Sequence, residues 1–241
     1  MLEEAMTYFR NLVQEVTPVE EVDGRKYNNS GGSLKPILEP FPGVMGFSTL
    51  SGLVAWAKEQ VIEIEKEGKR EKTPPYFVVD SFWRVSFYGP VCGAFKQRPL
   101  IAGADHVHKP FPFGREHDTE EFIIALQAKF IMDDNLRTLL SLASRVEDKT
   151  IIGAEDNGIS QTVTAKKSVA TRENVTLPNP LMLKPFSTFP EIDPPAKPYV
   201  MRVKAGLKWV LYETDDTAWG VEATKRTAAW ITANSEFKVY S

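Results

Sequence analysis

Apolar residues recur along this chain at two different periods, and the switch between them divides it into segments. Residues 2 to 16, LEEAMTYFRNLVQEV, place Met6, Phe9, Val13 and Val16 three or four positions apart. That is the spacing of one helix face, and Pro18 ends it. The stretch DGRKYNNSGGSLKPILEPFPG then mixes Gly, Ser and Asn with three prolines and reads as a mobile or extended linker. A helical arm over 1–16 and a flexible linker over 17–43 are therefore expected ahead of one domain over 44–241. The arm either docks on another subunit through Met6, Phe9, Val13 and Val16 or packs on its own domain.

The helical period returns over 48 to 67. Leu50, Leu53, Val54, Ala57, Val61 and Ile64 trace one stripe, Lys58, Glu59, Glu63 and Lys66 lie opposite, and Ser48 stands at the N-cap position. The run EIEKEGKREK alternates its charges and reads as a solvated helix end. Pro74 and Pro75 mark a change to period two. YFVVDSFWRVSFYG is rich in aromatic and β-branched residues and predicts a strand or strand pair, with RPLIAGADHVH as another strand. Asp118 and Glu121 have the spacing of a capping box. Phe122, Ile123, Leu126 and Phe130, then Leu136, Leu139, Leu140, Ala143 and Val146, predict a helical hairpin over 118–147, joined at Asp133 and Asp134.

Beyond residue 150 strands dominate. TIIGAEDNGISQTVTAKKSV carries Asn157-Gly158, which favours a type I′ hairpin turn. ENVTLPNPLMLKPF and YVMRVKAGLKWVLYET continue the pattern, and the prolines from Pro178 to Pro198 suit edges and loops. Residues 216–233 predict a closing helix with Trp219, Ala223, Thr227 and Trp230 on one side. The fold class is α+β: a mainly antiparallel sheet, a central helical hairpin and a C-terminal helix.

Composition narrows the function classes. The chain has 241 residues, 42% of them hydrophobic and 25% charged, with a net charge of −3. No global pull toward nucleic acid or anionic lipid follows from that balance. Cys92 is the only cysteine, so no internal disulfide forms and a reducing cytoplasm is the natural compartment. The opening MLEEAMTYF lacks the basic and apolar regions of a signal peptide, and no apolar run approaches the ~18 residues of a membrane span. Neither a membrane nor a cofactor is expected.

All three histidines fall in ADHVHKPFPFGREHD. On a strand, His106 and His108 would share a face, with His117, Glu116 or Asp105 as a third metal ligand. The spacing matches no H-E-x-x-H site, and Pro112 stands where a cupin-like site would place a Glu. The competing reading is a pair of hydrogen-bonded histidines at a strand end, with His117 stapling the next helix. Cys92 lies between Val91 and Gly93 and reads as a small buried residue. Phosphate loops and a G-x-S-x-G elbow are missing. Lys166, Lys167 and Arg172 gather near one predicted hairpin, with Lys225 and Arg226 on the last helix. With Trp83, Phe87 or Trp209 they would form a platform for single-stranded nucleic acid. Basic residues at strand edges also protect against aggregation.

Several stretches resemble one known family. GFSTLSGLVAWAKEQV is similar to the early helix of the YfdQ-like proteins of bacteriophages and prophages. TEEFIIALQAKFI, followed by GISQTVTAKKSV and LPNPLMLKPFSTFPEI, resembles the order of elements in the rest of that family. VLYETDDTAWGVEATKRTAAWI resembles its closing part, so the resemblance covers about residues 44–232. That family is of unknown function. The resemblance therefore implies no active-site residues, only a context: a phage-encoded accessory protein in the bacterial host cytoplasm.

The expected function is accordingly a non-enzymatic accessory protein that assembles into a homo-oligomer. One alternative is a protein of phage replication or counter-defence that binds nucleic acid or a nucleotide. The other is a metal-dependent hydrolase using His106, His108 and His117.

Overall fold

A computed structural model of the chain describes residues 3, 5–8, 19–29, 34–38, 41, 43–66, 73–92, 94–147, 150–156, 161–166, 172–177, 179–214 and 217–241. Met6 of the expected arm is described, in helical backbone and exposed, whereas Phe9, Val13 and Val16 lie outside these residues. The segment expected as a linker contains ordered strands. β1 (Val19–Val22), β2 (Arg25–Asn28) and β3 (Lys35–Pro36) form a three-stranded antiparallel sheet. The reason is the Asp23-Gly24 pair between them. Both residues take positive φ, 51° and 73°, as a two-residue hairpin turn demands.

β4 (Met45–Phe47) leads into α1 (Leu50–Lys66). The helix is capped by Thr49, one residue beyond the expected Ser48: Thr49 Oγ1 accepts the Gly52 N–H at 3.2 Å. A distant carboxylate completes this end. Glu191 Oε1 accepts from the Ser51 N–H at 2.9 Å and from the Ser51 hydroxyl at 2.8 Å, where the helix dipole favours an anion. Leu50, Leu53, Val54 and Ala57 are buried as the stripe predicts, and the side chains of Val61 and Ile64 lie outside the description.

β5 (Tyr76–Ser81), β6 (Arg84–Tyr88) and β7 (Leu100–Asp105) form an antiparallel meander. α2 (Thr119–Lys129) and α3 (Asp134–Glu147) are the helical hairpin. Asp118 occupies the N-cap of α2 but makes no capping bond. Its carboxylate is taken instead by the Lys208 ammonium, a charged and therefore stronger partner than a backbone amide. At α3 the cap does form: Asp133 Oδ1 accepts the Leu136 N–H at 2.9 Å.

β8 (Thr150–Asp156), β9 (Gln161–Lys166) and β10 (Arg172–Leu177) pair antiparallel in the order β10-β9-β8. Asn157 and Gly158, the expected turn between the first two, lie outside the described residues. β11 (Leu181–Leu183), β12 (Lys197–Lys204) and β13 (Lys208–Glu213) form a third antiparallel sheet. α4 (Thr217–Asn234) and β14 (Lys238–Tyr240) follow. α4 buries Trp219, Ala223, Thr227 and Ile231. Ile231 takes the place expected for Trp230 because a straight i+4 ladder reaches 231.

Two cores result. In one, α1 and α4 cover a five-stranded sheet of order β14-β5-β6-β7-β4, packing on Phe77, Phe87 and Ala102. β4 runs parallel to β7, and β14 runs parallel to β5. In the other, α2 and α3 pack on β11-β12-β13 around Phe122, Leu126, Leu139, Met201 and Leu211. Trp209 lies at its centre, with its indole N–H donated to Thr119 Oγ1 at 3.0 Å. Residues 106–216, which hold this second core, lie between β7 and α4. The whole is α+β, mostly antiparallel, with a C-terminal helix. Among the described residues no helix is long and apolar enough to cross a membrane.

Leu139 is buried against this second core. Leu139→Asp is expected to abolish the cooperative melting transition. A buried unpaired carboxylate costs several kcal/mol, a large part of the roughly 5–15 kcal/mol that holds a domain together. A thermal melt followed by circular dichroism checks it, and an unchanged melting temperature would place Leu139 outside the core.

Candidate functional site

Side chains alternate across a strand, and in the five-stranded sheet that alternation has an unusual content. Phe77 and Val79 of β5, and Val85 and Phe87 of β6, point toward the helices and are buried. The opposite face presents Tyr76, Val78 and Asp80, with Tyr88 directly across from Tyr76. β14 adds Lys238 and Tyr240 in register with Tyr76 and Val78. The rings of Tyr76 and Tyr88 stack at 5.4 Å and 20°, and Tyr240 meets Tyr76 edge-on at 5.1 Å. The Arg98 guanidinium sits 4.6 Å over the Tyr76 ring, and the Lys238 ammonium 4.8 Å over Tyr240. Toward β7 and β4 the same face carries Gly103 and Gly46 in register, which leaves it flat. Both helices lie on the other side. A hollow of about 410 Å³, bordered by Tyr76, Val78, Arg98 and Tyr240, opens on this face.

The aromatic platform expected from sequence is thus built from other residues. Phe87 and Trp209 are 1% and 0% exposed and belong to the two cores. They occupy the inward phase of their strands, which the outward tyrosines do not. Trp83 stands in the β5–β6 turn under the Arg84 guanidinium at 4.9 Å. Lys166 and Arg172 pair across β9 and β10, and Lys167 lies outside the described residues.

The histidines divide. His106 and His108 lie just past the end of β7 rather than on it, with the His106 N–H donated to Trp83 O at 2.8 Å. Their rings are parallel within 7° at 6.0 Å, while Val107 between them is 90% exposed. His117 is elsewhere. Its backbone exchanges both hydrogen bonds with Trp209, and its buried ring lies against Phe111 and Phe122. Nε2 lies 3.4 Å from Pro112 O, and Nδ1 lies 3.9 Å from a Glu121 oxygen at the start of α2. Among the described residues no three His, Cys, Asp or Glu are placed to hold a metal. Cys92 exchanges backbone hydrogen bonds with Gln97, at 2.8 and 2.9 Å, in a tight turn.

A second site was not anticipated. β12 alternates strictly, and its inward positions are Lys197, Tyr199, Met201 and Val203. A lysine therefore stands in the phase of core residues, and it is 2% exposed. Its ammonium lies 2.5 Å from Glu213 Oε1 and within 5.8 Å of the Tyr199 and Trp219 rings. Trp219 is fixed by its indole N–H, donated to Pro195 O at 2.7 Å, and by the edge of Phe82 at 4.9 Å. Lys197 lines a cleft of about 100 Å³ that His108, Lys109, Lys129 and Phe186 also border. The signal for it is legible: KPYVMRVK puts a lysine in step with three apolar residues.

Burial lowers the pKa of both paired histidines. For His106 the neighbouring His108 adds to the effect and Glu191 opposes it. For His108 the bond to the His106 backbone opposes it and Lys129 adds to it. The folded state thus holds both neutral below their ordinary value of about 6.5, where the unfolded chain takes up protons. Their contribution to stability is complete above pH ~6.5 and is lost as the pH falls below it. The melting temperature is expected to drop between pH 7 and pH 5.5, and to drop less in a His106→Gln, His108→Gln variant. Equal drops in the two proteins would assign the effect to other groups.

No family model, curated protein or solved structure matches this chain.

Proposed function

We propose that the protein binds single-stranded nucleic acid on the open face of the five-stranded sheet. The observation that supports this reading is the cluster of Tyr76, Tyr88 and Tyr240 with Arg98 and Lys238 over two of the rings. Every base has a π-face, and stacking on an aromatic side chain contributes about 1–3 kcal/mol per base without regard to sequence. The net charge of −3 gives no overall attraction for phosphate. Affinity therefore comes from stacking, with few phosphate contacts and a shallow dependence on salt. The phage-encoded setting implied by the resemblance of residues 44–232 belongs to the same proposal.

The test is fluorescence anisotropy with a labelled oligothymidylate and, in parallel, a duplex. The single strand is expected to bind and the duplex to bind more weakly. Tyr76→Ala together with Tyr240→Ala is expected to raise the Kd at least tenfold, the effect of ~1.4 kcal/mol of stacking. A wild-type protein that leaves the oligomer unbound at low salt would end the proposal, as would a folded double variant with unchanged affinity.

Self-assembly is a second reading, favoured by a different observation. Leu34, Leu38, Phe41, Val44 and Met45 are all exposed along one short stretch, and β4 at its end is an edge strand. Burial of this stretch against a second copy predicts an oligomeric mass in light scattering. Leu38→Asp with Val44→Asp is expected to lower that mass, and a monomeric wild-type protein would remove this reading.

A further inference from the structure

We propose that the cleft beside Lys197 is a receptor for phosphate, either as the free anion or as a phosphate monoester. Stability alone does not account for a lysine in this place. A buried ion pair adds little over an apolar pair of the same volume, and every other inward position of β12 is apolar. The charge count points to a dianion. Lys109, Lys129 and Lys197 border the cleft with one carboxylate, Glu213, so three positive charges less one negative leave two positive. A phosphate monoester carries about −1.5 to −2 at neutral pH. Size agrees with charge. The cleft is about 100 Å³, several times the roughly 10–15 Å³ that one water needs. A tetrahedral anion fits there, and the remainder of a larger ligand would extend toward the exposed ring of Phe186.

The surroundings strengthen the attraction. Tyr199 and Trp219 exclude water from one side of the Lys197 ammonium, and charge interactions grow as the local dielectric falls. Glu213 Oε1, at 2.5 Å, fixes where that ammonium stands. Lys129 is half-buried and Lys109 exposed, which gives the cleft one inner and two outer cations. This site is separate from the tyrosine face, and the two share no residue.

Isothermal titration calorimetry on the full chain tests it, with inorganic phosphate and glycerol 1-phosphate as probes at constant ionic strength. One saturable site is expected for at least one probe. Lys129→Gln is expected to raise its Kd at least tenfold, while Lys225→Gln, outside the cleft, leaves it unchanged. Lys197→Met is expected to abolish binding, and Lys129→Gln serves if that variant fails to fold. Binding of both probes identifies the end of a larger phosphorylated molecule as the ligand. Binding of inorganic phosphate alone identifies the free anion. Absence of saturable heat with either probe overturns the proposal. So does an unchanged Kd in a folded Lys109→Gln, Lys129→Gln variant.

Discussion

The direction of two chain crossovers decides the character of this molecule. β4 passes through α1 to reach β5, and the chain leaving β7 returns through α4 to reach β14. In the sheet order β14-β5-β6-β7-β4, both crossovers travel the same way, and each links parallel strands. Crossovers of this kind are right-handed in nearly all proteins. Two right-handed crossovers in one direction put both helices on one face. Phe77, Phe87, Leu53 and Ile231 share a core because of that constraint, and the half-buried Tyr76 and Tyr88 and the exposed Tyr240 lie on the face that the helices leave. A sheet whose crossovers reverse direction is covered on both faces and has no such surface.

One segment carries side chains into both cores. Phe189 and Ile192 enter the first core, while Leu181 and Leu183, a few residues earlier, belong to the second. Between and beside them the polar groups act as sutures. Glu191 holds the start of α1, and Asp193 is held by Lys184 from its own segment at 2.9 Å and by Arg226 of α4. The lysine cleft sits along this junction, with Phe82 and Trp219 from the sheet unit and Lys129 and Tyr199 from the other. Its geometry depends on both halves being in place.

Periodicity made most elements legible. The stripes Leu50-Leu53-Val54-Ala57 and Leu136-Leu139-Ala143 identify buried helix faces, and the aromatic run from Tyr76 to Tyr88 identifies a strand pair. What periodicity could not supply was long-range pairing. Asp118 has the spacing of a cap, but Lys208 lies 90 positions away along the chain and takes its carboxylate. Trp83, Phe87 and Trp209 all look like platform residues until the phase of each strand is known. The tyrosine face requires β14 beside β5, a pairing between Lys238 and Tyr76 that no local pattern announces. The Asp23-Gly24 hairpin and the in-phase Lys197 were different. Both signals are local, and each was hidden by its neighbours: the first by a run of Gly and Pro, the second by the loop prolines that lead into β12.

The placement of residues 106–216 between β7 and α4 bears on how the chain reaches its fold. The three-stranded meander β5-β6-β7 joins sequence neighbours, so its pairing is local. β14 docks on β5 across everything from Phe82 to Thr217 and the helix that follows. Closing so long a loop carries an entropy that local contacts do not meet, and non-local strand pairing is slow for that reason. Until α4 and β14 arrive, the apolar inward side of β5 and its open edge face solvent together, which is the state in which chains associate wrongly. The helical hairpin and its sheet, assembled from nearby segments, would by then be a finished unit. Folding of the inserted half first would shorten the loop that β14 has to close.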